Sequence, residues 1–464
     1  MTRHLHFMGI GGISMSGLAR HARAKGLTVS GCDASEGPNL QQLRSDGIDV
    51  SVGHDESHLE GVDLLVTSMA VPAESVEVTT AQQGGIRTIH RIDLLAEMFA
   101  DFRTIAVTGT HGKSTTTAMI AQIFVALGSD PAVQLGANLP ILGGNMRYGQ
   151  GEHLIAEVDE SDPGFARLSS DIAVLINLED DHIAGEHDER RNYHASLDDL
   201  EAAARRFAGQ ANRVVACADW PALERLLEGL PAVTTYGLAD SADYRIVDLE
   251  LAALGSSFTL STADGRRADV VLSVPGLHNA QNAAAAIATA DLAGLPLAEA
   301  ARALAPFAGV GRRWQRWGDS AGALIIDDYA HHPTEVAVTL RAARNTGRRV
   351  RAVLQPHRWV RTARHWPALA DAAGLADEVI VLDIFAAGES AIAGVSSALI
   401  VDRLLAAGRS AAYHDHASAV DYLAGSLEPD DLVITLGAGD VWKVAEALAL
   451  LPATQGREAI GADC

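Results

Sequence analysis

The chain has 464 residues, with 36 Lys and Arg against 59 Asp and Glu, a formal net charge of −23. That length accommodates about three domains at roughly 100–200 residues each, and the acidic balance argues against nonspecific binding to nucleic acid or anionic membrane. Hydrophobic residues make up 48% and aromatics 5%, with alanine-rich helical patterns, as expected of an α/β protein rather than a disordered one; no uncharged run is long enough to span a bilayer. Cys32, Cys217 and Cys464 lack paired or C-x-x-C spacing, which argues against a disulfide framework or a structural zinc site and fits a reducing cytoplasm. The apolar amino-terminal stretch is interrupted by glycines and reads as strand, turn and helix rather than a secretory signal.

The first segment, residues 1–98, opens with the strand-like LHFMGI, a turn GIGGIS, a helical MSGLARHARAKG and a second strand LTVSGCD ending at Asp33. Gly9, Gly11 and Gly12 let the backbone approach a pyrophosphate at a helix start, and Asp33 falls where an acidic side chain meets a ribose hydroxyl. Ser14 holds the place of the third glycine of G-x-G-x-x-G, so the pattern points to a nucleotide diphosphate more safely than to NAD. The strand patterns VDLLVTSMA and IRTIHR extend a small open parallel sheet.

The second segment, residues 99–308, contains RTIAVTGTHGKSTTTAMIAQIFVAL. A buried strand enters a loop bracketed by Gly109 and Gly112, and Thr115–Leu127 has the spacing of a helix. Backbone N–H groups at the helix start and the Lys113 ammonium converge on polyphosphate oxygens, while the Ser114 hydroxyl can ligate magnesium. Val107 stands where the first glycine of the eight-residue phosphate loop would fall, so the loop is a shortened variant; a plain strand-turn-helix is the bland alternative. HLIAEVDESD and DIAVLINLEDDH are strand-to-loop transitions that bring Glu157 and His182 toward Ser114 as a magnesium site, since the carboxyl ends of parallel strands line one crevice. Glu157, Asp159, Glu160 and Asp162 read equally well as a solvated acidic loop. In PGLHNAQNAAAAIATA, His278 and Asn282 lie one helical turn apart and can meet a base or ribose, with Asn279 as a helix cap in the bland reading.

The third segment, residues 309–464, alternates apolar runs with alanine-rich helices in GVGRRWQ, LIIDDYAHHPTEV, AVLQPHRWVRTARH and LVITLGAGDVW, favouring a doubly wound α/β domain. Arg312, Arg313, Arg358 and Arg361 are anion-clamp candidates because guanidinium binds carboxylate or phosphate bidentately. Lysine occurs only at Lys25, Lys113 and Lys443.

Together TGTHGKSTTT, AEVDESD, NLEDDH, LHNAQNAAAA, GVGRRWQ and DDYAHHPTE resemble the Mur ligases, in that family's order along nearly the whole chain. The resemblance implies three α/β domains: a Rossmann-like UDP-sugar module, a central ATPase with a mostly parallel sheet, and a carboxy-terminal Rossmann-like domain that closes with nucleotide and amino acid. HFMGIGGISMSG, LQPHRWVRT, AAGES and LGAGD are most similar to the alanine-adding branch, which joins L-alanine to the lactyl carboxylate of UDP-N-acetylmuramate through an acyl phosphate in peptidoglycan precursor synthesis. LQPHRWVRT argues against the branch that attaches a recycled tripeptide.

By matching positions, the resemblance implies catalytic roles for Lys113, Glu157 and His182. It implies ATP contacts at Gly109, Thr110, His111, Gly112, Lys113, Ser114, Thr115, His278, Asn282, Arg313 and Asp328, and Mg2+ ligands at Ser114, Glu157 and His182. Gly9, Gly11, Gly12, Asp33 and Ser68 would hold the UDP-sugar, and Tyr329, His357, Arg358 and Arg361 the amino acid. Expected with these are a cytoplasmic monomer or homodimer without nucleic acid or membrane insertion. The carbamylated lysine that several relatives use is excluded, because no lysine lies between Lys113 and Lys443. Departures occur at Ile13, Ser14 and Met15, at Pro163 and Gly164, and in IAGEHD after His182. The competing readings are an NAD-dependent oxidoreductase and a regulatory UDP-sugar-binding ATPase.

Overall fold

A computed structural model describes residues 3–68, 71–181, 183, 194–230 and 232–451. Three sheets organise the chain. The first has five strands, β1 (His4–Met8), β2 (Thr28–Asp33), β3 (Asp49–Val52), β4 (Leu64–Thr67) and β5 (Arg87–His90), in the order β3-β2-β1-β4-β5 with every pair parallel. The order reverses direction between β1 and β4, which opens a crevice at the carboxyl ends of those strands. Phe7, Met8, Leu64, Leu65 and Val66 are fully buried, as expected of a parallel sheet covered on both faces.

The second sheet has ten strands. They are β6 (Arg103–Thr108), β7 (Ala132–Leu139), β8 (Gly144–Arg147), β9 (His153–Glu157), β10 (Ile172–Leu175), β11 (Arg213–Cys217), β12 (Val233–Gly237), β13 (Tyr244–Ala252), β14 (Gly255–Thr262) and β15 (Arg267–Leu272), in the order β15-β14-β13-β12-β11-β10-β6-β9-β7-β8. Pairing is parallel from β7 through β9, β6, β10, β11 and β12 to β13, and β8 runs antiparallel to β7. The Lys113–Ala126 helix buries Ala118, Met119, Ile120, Ala121, Ile123 and Phe124 completely. A helix apolar all round belongs in an interior, so the phosphate-loop motif leads into the core.

The third sheet has six strands, β16 (Gln315–Ser320), β17 (Ala323–Asp328), β18 (Arg349–Leu354), β19 (Glu378–Val381), β20 (Ser410–Tyr413) and β21 (Asp431–Leu436), in the order β16-β17-β21-β18-β19-β20, with β16 antiparallel to β17 and the rest parallel. Leu324 and Ile326 on β17 and Leu432, Ile434 and Leu436 on β21 join one core; Ile325 and Val433 join the other. That period-two split is what a doubly wound sheet requires.

The chain forms two compact units, one of Met1–Leu249, Ser257–Leu272 and Asn279–Phe307, the other of Glu250–Ser256, Ser273–His278 and Ala308–Cys464. Within the first, the Ile13–Ala24 helix packs on β7 and β8. Asn145 donates from Nδ2 to the Ile13 carbonyl at 2.9 Å, and Arg20 Nη1 donates to Asn145 Oδ1 at 3.2 Å. Among the described residues no helix is long and apolar enough to cross a membrane.

Candidate active site

The loop after β6 is fixed from both ends. Gly109 has φ +143°, and a Cβ there would lie 2.9 Å from the Asn177 carbonyl oxygen; Gly112 has φ +82°, and its Cβ would lie 2.9 Å from Asn282 Oδ1. Neither a side chain nor ordinary backbone angles fit these two positions. The Thr110 amide donates to the Asn177 carbonyl at 3.0 Å, the His111 amide to Asn177 Oδ1 at 2.8 Å, and the Glu179 amide to Thr110 Oγ1 at 2.8 Å. His111 Nε2 lies 3.1 Å from Glu179 Oε2. The segment after β10 thus braces the loop, and the helix begins at Lys113 with Thr115 buried in its first turn.

Lys113 donates to the carbonyls of Gly109 at 2.7 Å and Thr110 at 3.2 Å, and its ammonium is 2.6 Å from Glu160 Oε2. Burial works against the ammonium, but Glu160, Asp159 and Glu157 outweigh it and hold its pKa above the ordinary value. Burial raises the Glu160 carboxyl to about 7 against the pull of Lys113. Ser114 donates to Glu157 Oε1 at 3.1 Å, and the Gly136 amide donates to Glu157 Oε2 at 2.6 Å. The fold therefore brings Ser114 and Glu157 together. His182 lies outside the described residues. The acidic segment is not a solvated loop: Glu160 and Asp162 are buried, and Arg91 from the first sheet's last helix reaches Asp159 at 3.3 Å and Asp162 at 3.4 Å.

At the carboxyl edge of the first sheet, Gly9 and Ile10 donate their amides to the Cys32 carbonyl at 2.8 and 3.0 Å. Gly11 donates to Asp33 Oδ2 at 2.9 Å, and a Cβ on Gly11 would come 2.4 Å from Leu40. Gly12 precedes the Ile13–Ala24 helix, and Ser68 follows β4, so these five residues share one strand-end crevice. Asp33 itself organises the glycine turn, a partner that spacing alone did not indicate.

The Leu277–Leu292 helix carries His278 and Asn282. Asn279 falls inside the first turn of that helix and is buried. In the second unit, burial and then the nearby Arg313 lower His278 to about 4, keeping the imidazole neutral. Arg313 pairs with Glu335 at 3.3 Å. Asp328 accepts from the amides of Trp314 at 2.8 Å and Ala330 at 2.9 Å, yet burial raises its carboxyl to about 6. The guanidiniums of Arg312 and Arg313 lie 5.1 and 4.9 Å from the Tyr329 ring centre.

His331 links Tyr329 to His357 through ring contacts at 5.4 and 5.6 Å, and Arg361 Nη1 is 3.2 Å from His357 Nδ1. Arg358, with φ +67°, pairs with Glu389. Tyr329, His357 and Arg361 thus form one chain of contacts, with Arg358 turned to Glu389. Sequence reasoning passed over Asn177, Glu179, Glu335 and Glu389 as site residues. Each lies inside a motif quoted above, Asn177 and Glu179 in NLEDDH, Glu335 in DDYAHHPTE and Glu389 in AAGES, but none was singled out.

Against this geometry, three family models cover the chain: "Mur ligase family, catalytic domain" over residues 4–103, "Mur ligase middle domain" over 107–290 and "Mur ligase, glutamate ligase domain" over 312–439. The chain belongs to the Mur ligase family. It is 45% identical over 450 residues to the UDP-N-acetylmuramate--L-alanine ligase of Deinococcus radiodurans, covering 96% of this chain and 92% of that one. Among solved structures, the UDP-N-acetylmuramate-alanine ligase MurC of Thermotoga maritima matches with TM-score 0.81 and 28% identity, covering 96% of this chain and 98% of that one. A murein peptide ligase of Psychrobacter arcticus matches with TM-score 0.71 and 26% identity, covering 97% and 100%.

Proposed function

We propose that this chain joins L-alanine to the lactyl carboxylate of UDP-N-acetylmuramate at the expense of ATP, giving ADP, phosphate and an amide. The observation that carries this reading is the 45% identity with the Deinococcus radiodurans ligase across 96% of the chain. The braced Lys113 loop supports it chemically. The alanine-adding branch is favoured over the tripeptide-adding one by that identity and by LQPHRWVRT.

A carboxylate is a poor electrophile, so one of its oxygens first attacks the γ-phosphorus and ADP leaves. The amine of L-alanine then attacks the carbonyl carbon of the acyl phosphate and expels phosphate. Phosphoryl transfer needs positioning and charge neutralisation more than a protein nucleophile. Lys113 remains cationic at neutral pH and is suited to the transferring phosphoryl group; the loop amides from Gly109 to Thr115 would orient the other phosphate oxygens. The hard oxygens of Ser114 and Glu157, 3.1 Å apart, fit a Mg2+ ion, which would neutralise phosphate charge; His182 is proposed as a further ligand.

His278, Asn282, Arg313 and Asp328 are proposed nucleotide contacts. Gly9, Gly11, Gly12, Asp33 and Ser68 would hold the UDP-sugar, and Tyr329, His357, Arg358 and Arg361 the amino acid. Domain boundaries after residues 98 and 308 and a cytoplasmic location belong to the same proposal. Orienting both reactants can contribute on the order of 7–11 kcal/mol.

The test uses UDP-N-acetylmuramate carrying oxygen-18 in its lactyl carboxylate. One labelled oxygen per turnover in the released phosphate is expected. Unlabelled phosphate accompanying amide formation would contradict the acyl-phosphate route.

A further inference from the structure

A side-chain cluster in the first sheet has no part in the chemistry above. Cys32 is the penultimate residue of β2, His54 follows β3, His58 sits in the short Glu56–Leu59 helix, and Glu77 is in the first turn of the Val76–Gly84 helix. Four stretches of chain therefore converge on one point. Cys32 Sγ is 3.4 Å from His54 Nδ1 and 3.3 Å from Glu77 Oε1, and His54 Nδ1 is 3.1 Å from the same Glu77 oxygen. His58 Nδ1 is 3.3 Å from that oxygen, and the His58 ring stacks on His6 at 5.7 Å.

Hydrogen bonding alone gives a poor account of this arrangement. Glu77 is fully buried, and Oε1 is approached by four donors, the three side chains and the Asp55 amide at 3.2 Å. Among the described residues, its Oε2 has no hydrogen-bond partner, and neither does Nε2 of the buried His6. A carboxylate needing only hydrogen bonds would divide its donors between two oxygens. The His58 contact, at 3.3 Å, also lies beyond the usual 2.7–3.2 Å for N–H donors to oxygen. Zinc bonds of roughly 2.0–2.3 Å at tetrahedral angles place neighbouring donor atoms about 3.3–3.6 Å apart. The Cys32, His54 and Glu77 triangle is close to one face of such a tetrahedron.

We propose that Cys32 Sγ, His54 Nδ1 and the Glu77 carboxylate form a binding site for a zinc-class divalent cation, with the fourth position facing His58. Thiolate and imidazole select such an ion over magnesium, which separates this site from the oxygen pair Ser114 and Glu157. The half-exposed His54 side chain supplies the entry path, at 37% exposure. Burial, and then Glu77, hold the Cys32 thiol well above its ordinary pKa, so binding releases the thiol proton to solvent. The Cys32 carbonyl accepts the Gly9 and Ile10 amides, and the ion would therefore stiffen the glycine turn at its base. Cysteine spacing cannot indicate such a site, because its ligands are mixed in type and meet only through the strand order.

The full chain is stripped with a chelator, reloaded with zinc or cobalt in excess magnesium, and desalted. The expected result is about one zinc retained per chain, a higher thermal midpoint, and in the cobalt form a sulfur-to-metal charge-transfer band with intense tetrahedral visible bands. Cys32→Ser should abolish the charge-transfer band, and both Cys32→Ser and His54→Ala should lower zinc affinity at least about 10-fold. His54→Ala changes a half-exposed side chain and is the variant expected to fold normally, as circular dichroism would check. Failure of the parent protein to retain zinc, an unchanged cobalt spectrum in Cys32→Ser, or undiminished affinity in a folded His54→Ala would each overturn the proposal.

Discussion

Lys113 stands where the motif predicts it, at a helix start behind Gly109 and Gly112. Lys113→Ala should lower turnover by at least about 10³-fold while leaving the circular dichroism spectrum near that of the parent, with a lower thermal midpoint because Glu160 loses its buried partner; activity within tenfold would remove the phosphate-loop assignment. Its buried partner Glu160 was legible only as one of four acidic residues. Which carboxylate meets the ammonium is decided by how β9 leaves the sheet, and local sequence does not encode that. The Glu160 carboxyl rises from 4.5 unfolded to about 7 folded, so the folded state binds the proton more tightly. That contribution to stability is fully present below pH 4.5 and is lost as pH rises through 7. Glu160→Gln cannot titrate, so the difference in thermal midpoint between parent and variant should move against the parent from pH 4.5 to 8. A difference that stays constant across this range would contradict the assignment.

At the level of elements, the β1-turn-helix-β2 unit and the strand, loop and helix around Lys113 were legible because each combines a buried apolar run with glycines where side chains cannot fit. Gly112→Ala forces a residue into the left-handed region, at a cost of about 1–2 kcal/mol, and drives a Cβ against Asn282. A fall of that size in the denaturant-derived stability of the first unit is expected, with weaker ATP binding; unchanged stability would show that the loop relaxes freely.

Less legible were β14 and β15, in which every second residue is buried but which carry no chemistry to draw attention. The seating of the Ile13–Ala24 helix on β7 and β8 was also invisible, since Asn145 lies 132 residues from its acceptor Ile13. Asn145→Ala removes one donor from that carbonyl, which still accepts from Ser16 Oγ at 2.9 Å, and should cost about 0.5–1.5 kcal/mol. Hydrogen exchange in the Ile13–Ala24 helix should accelerate, and unchanged exchange would mean the contact does not hold the helix in place.

For the whole molecule, about three domains followed from chain length, and their α/β layout and the family from motifs spread in order over the chain. The partnering of the arginines did not follow, because Arg313 with Glu335 and Arg358 with Glu389 depend on how helices pack on the third sheet. A chain of net charge −23 that handles anionic substrates must place such cations deliberately, and burial beside carboxylates keeps them fixed and charged. The identity of the amino acid joined separates the alanine-adding branch from the tripeptide-adding one. Purified protein with ATP, magnesium and UDP-N-acetylmuramate would be given L-alanine, the recycled tripeptide, or neither, and the UDP-sugar product weighed by mass spectrometry. An L-alanine adduct with one phosphate released per amide is expected. Tripeptide addition alone, or ATP hydrolysis without any adduct, would contradict it.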